Sequence, residues 1–350
     1  SKTLGNSKAM TLMLLGQYES ARQAYLDLHA WDPSDMQALA MAGAMALLAT
    51  DHKEGFKDYA ARPLDAQEAA LFSPMTPWQG EPLAAKSIVC WTEQGIGDAI
   101  MFIGLVPYLL AQGAKVTLAV NPRLVPLLKR GLPGANLAVS SDQITGQHFD
   151  YQISLGGLME YVLPHYAPSA HPAYLKADTS RSQQLRAQYE AMASQHGRKR
   201  LIGLAWHTTN HHIGFIRNIP LEEMKPIFSL PDTQFIVLQY GDHAQEIAYI
   251  NQQFPGILFC DPQIDAYNDL DGLAAQMMAM DEVITTTNVT GHLAGALGVP
   301  TRLLIPACPD WRWKRQGNAN TWYGSVEMER QEMLLNWKPV IKRLRSHLQR

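Results

Sequence analysis

Apolar and small residues recur every three or four positions over residues 1–65, which places them on one face of successive helices. Residues 66–86, among them Phe72-Ser73-Pro74-Met75-Thr76-Pro77-Trp78-Gln79-Gly80-Glu81-Pro82, are rich in proline and turn formers and read as a linker. From Lys86 the pattern changes to short apolar runs between helical stretches. Strands are expected at Ser87–Thr92, Lys115–Val120, Asn136–Ser140 and Asp150–Leu155, with helices at Asp98–Gln112 and Pro122–Arg130. Asp178–Arg200 is polar and helix-like, suited to joining two halves. A second alternation follows, with strands at Leu201–Trp206, Gln234–Tyr240, Ile257–Cys260, Glu282–Thr286 and Arg302–Ile305. Its helices fall at Leu221–Phe228, His243–Phe254, Leu270–Met280 and Thr290–Leu297. Gln331–Leu348 reads as a closing helix that Pro339 would kink or interrupt. The pattern predicts an α/β chain with two parallel-sheet units in tandem, 87–195 and 196–330. A helical segment, 1–65, and the linker 66–86 precede them, and a helix, 331–350, follows.

The helical segment holds a finer pattern. Gly16-Gln17-Tyr18-Glu19-Ser20-Ala21, then Tyr25, Leu28 and Pro33, resemble the second half of a tetratricopeptide repeat, in which small residues let two helices approach and a tyrosine fills the gap. Ala21 and Gly55, like Tyr25 and Tyr59, stand 34 positions apart. The period fails at His52, where an aromatic residue is expected. One and a half repeats and a plain helical hairpin both fit. So short an array must lean on a neighbouring domain to bury its apolar face.

At 350 residues the chain exceeds one core, and 47% hydrophobic with 17% charged residues is ordinary for a globular protein. A net charge of −3 argues against a nucleic-acid partner. Cys90, Cys260 and Cys308 lack metal-site spacing and read as buried free thiols in a reducing compartment. No apolar run is long enough for a membrane span and no secretory signal is visible, so a cytoplasmic location is expected.

Three turns carry candidate chemistry. Trp91-Thr92-Glu93-Gln94-Gly95-Ile96-Gly97-Asp98 joins a strand to a helix, and Gly95 and Gly97 permit a tight turn and close approach of a ligand. Ile100 stands where a dinucleotide fingerprint needs its third glycine, and Asn121 where it needs an acid, which argues against a dehydrogenase. Asp98 could take a proton from an attacking hydroxyl or simply cap the helix. Trp206-His207-Thr208-Thr209-Asn210, with Arg217-Asn218-Ile219-Pro220 downstream, offers hydroxyls and a guanidinium to phosphate oxygens, or is a solvated loop. His207, His211 and His212 raise a zinc reading, but no carboxylate or cysteine completes the spacing. In Thr287-Asn288-Val289-Thr290-Gly291-His292 a helix start could bind phosphate, with Thr290 and His292 as added donors and ordinary Thr/Asn capping as the alternative. Asp269-Leu270-Asp271 reads better as a helix cap than as a metal pair. Trp311, Trp313, Trp322 and Tyr323, interleaved with Arg312, Lys314 and Arg315, fit sugar stacking or core packing.

Together with Trp78-Gln79-Gly80-Glu81, Gln239-Tyr240-Gly241-Asp242, Asn268-Asp269-Leu270-Asp271, His292-Leu293-Ala294-Gly295-Ala296-Leu297-Gly298 and Asp310-Trp311-Arg312-Trp313, these motifs resemble family-nine glycosyltransferases. This is the heptosyltransferase superfamily, and the likeness is to its bacterial members with N-terminal tetratricopeptide repeats, over residues 10–340. The resemblance implies a GT-B fold of two Rossmann-like domains with a substrate cleft between them. It also implies inverting transfer from a nucleotide sugar without an obligatory metal or other cofactor. It makes Asp98 the general base, with Gln94, Gly95, Gly97 and Trp313 on the acceptor or sugar side. Thr208, Thr209, Arg217, Asn288, Thr290, Gly291 and His292 become the donor-phosphate groups, and Gln239 and Tyr240 lie where the nucleotide packs. The closing helix would cross back towards the first domain. Thr287 departs from the acidic residue usual before the phosphate turn. The first α/β unit is also short beside heptosyltransferases of the lipopolysaccharide pathway, which disfavours a lipid-core acceptor. The implied partner is a protein such as flagellin, docked by the helical repeats, with a donor such as a CMP-activated nonulosonic acid. A heptosyltransferase of surface polysaccharide assembly and a non-catalytic nucleotide-sugar-binding scaffold are the alternatives.

Overall fold

A computed structural model describes residues 2–49, 52–210 and 214–349, and the side chains of all but 52 and 53 among these. The chain divides into two compact units, each assembled from separate stretches. Ser1–Asn121, Gly134–Pro168 and Cys308–Gly317 form the first, and Pro122–Pro133, Ser169–Ala307 and Asn318–Arg350 the second.

The first unit opens with helices α1 (Lys2–Leu14), α2 (Tyr18–Trp31), α3 (Met36–Leu48) and α4 (His52–Ala60), each packed on the next. Ala21, Tyr25, Gly55 and Tyr59 are all buried, as expected of small residues and rings that let helices meet. Gly43 shows how close that meeting is, because a Cβ there would stand 2.3 Å from the Tyr59 nitrogen of α4. The stretch expected as a linker is not all loop. It contains helix α5 (Ala66–Phe72), capped by Asp65, and Phe72 stacks on Trp91 at 4.8 Å in the core of the first sheet. Proline and turn formers begin only after Phe72, which leaves the apolar end of this helix free to bury itself.

That sheet comprises β1 (Ser87–Trp91), β2 (Lys115–Ala119), β3 (Asn136–Ala138) and β4 (Tyr151–Ser154), all parallel, in the order β3-β2-β1-β4. The apolar run after β1 was expected as one helix from Asp98 to Gln112. It is two, α6 (Ile96–Ile103) and Val106–Ala111, and the break falls where Pro107 suits a new first turn and cannot continue the old one.

In the second unit the strands are β5 (Arg200–Ala205), β6 (Thr233–Val237), β7 (Leu258–Phe259), β8 (Glu282–Thr286), β9 (Thr301–Ile305) and β10 (Val326–Arg330). All pair in parallel, in the order β10-β9-β8-β5-β6-β7. Strand β10 lies in a stretch with no strand expected, since its five residues include Glu327, Glu329 and Arg330. The expected helix from Gln331 begins only at Lys338 and runs to Leu348. Pro339 stands in its first turn, where a missing N–H is harmless, so it starts the helix and does not kink it. The helix was expected to cross back towards the first unit. Instead Val340, Ile341, Leu344 and Leu348 enter the second unit's own core with Trp206 and Trp337. Cys260, expected to be buried, is exposed, because β7 ends one residue before it; Cys90 and Cys308 are buried.

The two sheets share one winding. β1 to β3 step outwards in one direction and β4 returns to the far side of β1; β5 to β7 do the same, and β8 returns to the far side of β5. Each sheet therefore has a switch point, at β1/β4 and at β5/β8. Ligands of open parallel sheets bind just outside the carboxyl ends of the strands at such points.

Candidate active site

At the first switch point the turn after β1 holds Glu93, Gln94, Gly95 and Asp98. Gly95 is the N-cap of α6, with extended backbone (φ −61°) open to any residue, and a Cβ on it would meet nothing within 4 Å. The glycine is thus not required by the turn; it leaves open space beside the helix start. Asp98 lies in the first turn of α6 and does not cap it, which removes the capping alternative. Its Oδ1 accepts from Nε of Arg312 at 2.6 Å, and no hydrogen bond to its other oxygen is present among the described residues.

Arg312 holds the turn together. Its Nη1 donates to Asp310 at 2.7 Å, and its Nη2 to Gln94 Oε1 at 3.1 Å and to the Tyr59 hydroxyl at 3.2 Å. Burial works against the guanidinium charge, but Asp310 and Asp98 outweigh it and keep Arg312 firmly protonated. Alongside, Glu93 is buried and paired with Arg62 of the segment after α4, and its Oε1 accepts from the backbone of Gly156 at 2.9 Å. Glu93 therefore spans the switch point from the β1 turn to the β4 turn. Burial holds its carboxyl above the usual range, with Arg62 opposing.

At the second switch point the carboxamide oxygen of Gln239 accepts from the backbone of Trp206 and His207, both at 2.9 Å, and fixes the end of β5. Asn218 accepts from the backbone of Thr208 at 2.8 Å. Thr209 is exposed, and its backbone nitrogen lies 3.4 Å from the Tyr240 hydroxyl. Arg217 reaches the carbonyl of Thr287, and Asn288 Nδ2 donates to the carbonyl of His207 at 3.0 Å across β5/β8. Asn288 also caps the Val289–Leu297 helix, its oxygen taking the N–H groups of Thr290 and Gly291. Those two amides, expected to face phosphate, are occupied. Thr290, Gly291 and His292 are buried, and His292 Nδ1 meets the Tyr323 hydroxyl at 3.0 Å. The hydroxyls of Thr287 and Thr290 are buried without a hydrogen-bond partner among the described residues. Such orphaned groups each cost about 1–3 kcal/mol, which an occupant at this turn would offset.

Other candidates fall elsewhere. Trp311, Trp313, Trp322 and Tyr323 are all buried; at 1% exposure Trp313 has no face on which a sugar could stack, so it is a core residue. The same segment's contribution to the site is Arg312, and it acts through Asp98 and Asp310. Asp269 caps the Leu270–Met278 helix through the backbone of Gly272, as expected, and pairs with Arg181; Asp271 pairs with Arg130. His211 and His212 lie outside the described residues. Among the described residues no group of three or more His, Cys, Asp or Glu side chains is placed to hold a metal ion, and no helix is long and apolar enough to cross a membrane. Sequence reasoning missed Tyr59 and Arg62 as site residues. The signal was the 34-residue spacing that singled out Tyr59 as a packing residue, since it packs against Trp311 with ring centroids 5.0 Å apart.

Among solved structures, two glycosyltransferases are similar in fold. Glycosyltransferase family 9 from Veillonella parvula superposes with a TM-score of 0.50 at 14% identity, over 72% of this chain and 88% of that one. E. coli ADP-heptose LPS heptosyltransferase II superposes with a TM-score of 0.51 at 14% identity, over 75% and 97%. The fold is that of the family 9 glycosyltransferases. No family model matches the chain. Protein FlbA of Caulobacter vibrioides is 31% identical over 343 residues, covering 90% of this chain. The chain spans 56% of that relative's length. The GT-B expectation, with parallel four- and six-stranded sheets and an N-terminal helical segment, agrees with these findings.

Proposed function

We propose that the chain is a glycosyltransferase that moves a sugar from a nucleotide donor to an acceptor hydroxyl, with Asp98 as general base. The observation that carries this reading is the distribution of side chains over two switch points of one winding. The first carries an oriented carboxylate with one oxygen unpartnered among the described residues. The second carries threonine hydroxyls and Arg217, groups that suit phosphate oxygens. The donor is held by Thr208, Thr209, Arg217 and the turn at Thr287–Asn288, with Gln239 shaping the end of β5 and Tyr240 beside the nucleotide.

Asp98 takes the proton as the acceptor oxygen attacks the anomeric carbon, and the nucleotide leaves from the opposite face. One displacement with one base inverts the anomeric centre, and the donor phosphates are met by Arg217 and polar side chains without an obligatory metal. The buried small residues and tyrosines of α2 to α4 support tetratricopeptide-like packing of these helices, with a protein acceptor such as flagellin docked on them. The likeness in fold to a heptosyltransferase keeps transfer to a surface polysaccharide as the second reading.

A thermal-shift panel of CMP-, UDP-, GDP- and ADP-linked sugars tests the proposal. One of them should raise the unfolding temperature in a concentration-dependent way, because a ligand of the native state adds to its stability. Stabilisation by none would favour a non-catalytic scaffold.

A further inference from the structure

The residues around Asp98 come from three places in the chain: Tyr59 on α4, Gln94 on the β1 turn, and Arg312 in the Asp310-Trp311-Arg312-Trp313 segment. Their hydrogen bonds have a direction. The Tyr59 hydroxyl donates to Gln94 Oε1 at 3.0 Å, and Arg312 Nη2 donates to the same oxygen. Two donors on one atom fix the carboxamide, since the flipped amide would set its N–H groups against the N–H of Arg312. Gln94 Nε2 is consequently left buried with no partner among the described residues. The Tyr59 ring is itself fixed by Trp311 and lies under the guanidinium of Arg62, 4.8 Å from its centroid.

Resting on the proposed function above, we infer that Tyr59 and Arg312 are positioning residues for the base, so that the N-terminal helices are part of the catalytic apparatus. Arg312 Nε holds Oδ1 of Asp98 and leaves the second oxygen to receive the proton. Tyr59 and Asp310 fix the rotation of the Arg312 plane. The Gln94 amide, oriented by the same two donors, completes the frame around Arg312. A guanidinium at this place supplies geometry that an ammonium cannot, because four partners are met by one planar fork.

The test uses the full chain and the nucleotide sugar, from the CMP-, UDP-, GDP- and ADP-linked panel, that supports Asp98-dependent transfer. Arg312→Ala should lower kcat about a hundredfold, the scale of a misplaced catalytic group. Donor KM should stay within about twofold, since only transition-state placement is lost. Millimolar guanidinium should restore part of that kcat, which a merely misfolded variant would not show. Arg312→Lys should remain impaired although the charge is kept. Tyr59→Phe, which removes one hydroxyl and keeps the ring, should lower kcat about fivefold, the scale of one neutral hydrogen bond. Wild-type kcat in Tyr59→Phe, or an Arg312→Ala loss that resides in KM and ignores guanidinium, would overturn the inference while Asp98→Asn still abolished transfer. If no nucleotide sugar supports transfer at all, the glycosyltransferase reading fails and takes this inference with it.

Discussion

The two sheets are wound alike, yet their switch points are electrostatic opposites. The first gathers carboxylates and guanidiniums: Glu93, Asp98 and Asp310 against Arg62 and Arg312. The second is lined mainly by neutral groups, with Gln239, Asn218 and Asn288 fastening the ends of β5 and β8 and Arg217 reaching the Thr287 carbonyl. One scaffold thus serves two chemistries. A carboxylate must be aimed if it is to take a proton, and its ion pair with Arg312 aims it. An anionic ligand is better met by dipoles and one cation than by a turn already carrying acids. On this account Thr287, a neutral residue, adds no negative charge to the second turn.

The largest effect should come from breaking the charged turn. Arg312→Ala leaves Asp98 and Asp310, each about one-fifth exposed, without their shared cation. The expected cost is about 3–5 kcal/mol in denaturant unfolding. Hydrogen exchange should show the loss in α4 and α6, with the amides of β5 to β9 unchanged; equal loss in both units would break the comparison. Next, Gly43→Ala should push α4 away from α3 at a cost of about 1–3 kcal/mol, and disturb the same turn through Tyr59. On the neutral side, Asn288→Ala should cost about 1 kcal/mol by uncapping the Val289–Leu297 helix. Asn288→Asp keeps the cap but adds a charge, so it should weaken binding of the stabilising nucleotide sugar about tenfold, which calorimetry would show.

The smallest effect concerns acid. Asp150 is held below the usual carboxylate range by the backbone of Ser87, then by Lys86 and the Ser87 hydroxyl. A lowered folded-state pKa supplies stability that is complete above the unfolded value near 4 and drains away as pH falls below it. Asp150→Asn should therefore flatten the decline of the denaturation midpoint between about pH 4 and pH 2. An unchanged slope would remove Asp150 from the account.

Much of the fold is legible in the pattern, for a physical reason. The inner strands β1 and β5 are buried almost throughout, so they read as unbroken apolar runs such as Ile88–Trp91 and Leu201–Ala205. Strand β10 is illegible because it is the edge strand beside β9 and carries charges, among them Glu329, which is buried against His347. The turns themselves were found from glycine and threonine at strand ends. What the pattern could not give is who meets Asp98, since Arg312 lies 214 positions away and Tyr59 belongs to a different pattern altogether. Sequence also could not tell that Asn288 consumes the amides of its own helix start, nor that Trp313 is enclosed.

The most direct measurement is transfer and donor binding by Asp98→Asn, side by side with the wild type. The account predicts that the variant binds the same nucleotide sugar with an unchanged Kd, while kcat falls by about two to four orders of magnitude, the range of general-base catalysis. Transfer at the wild-type rate by Asp98→Asn would contradict it.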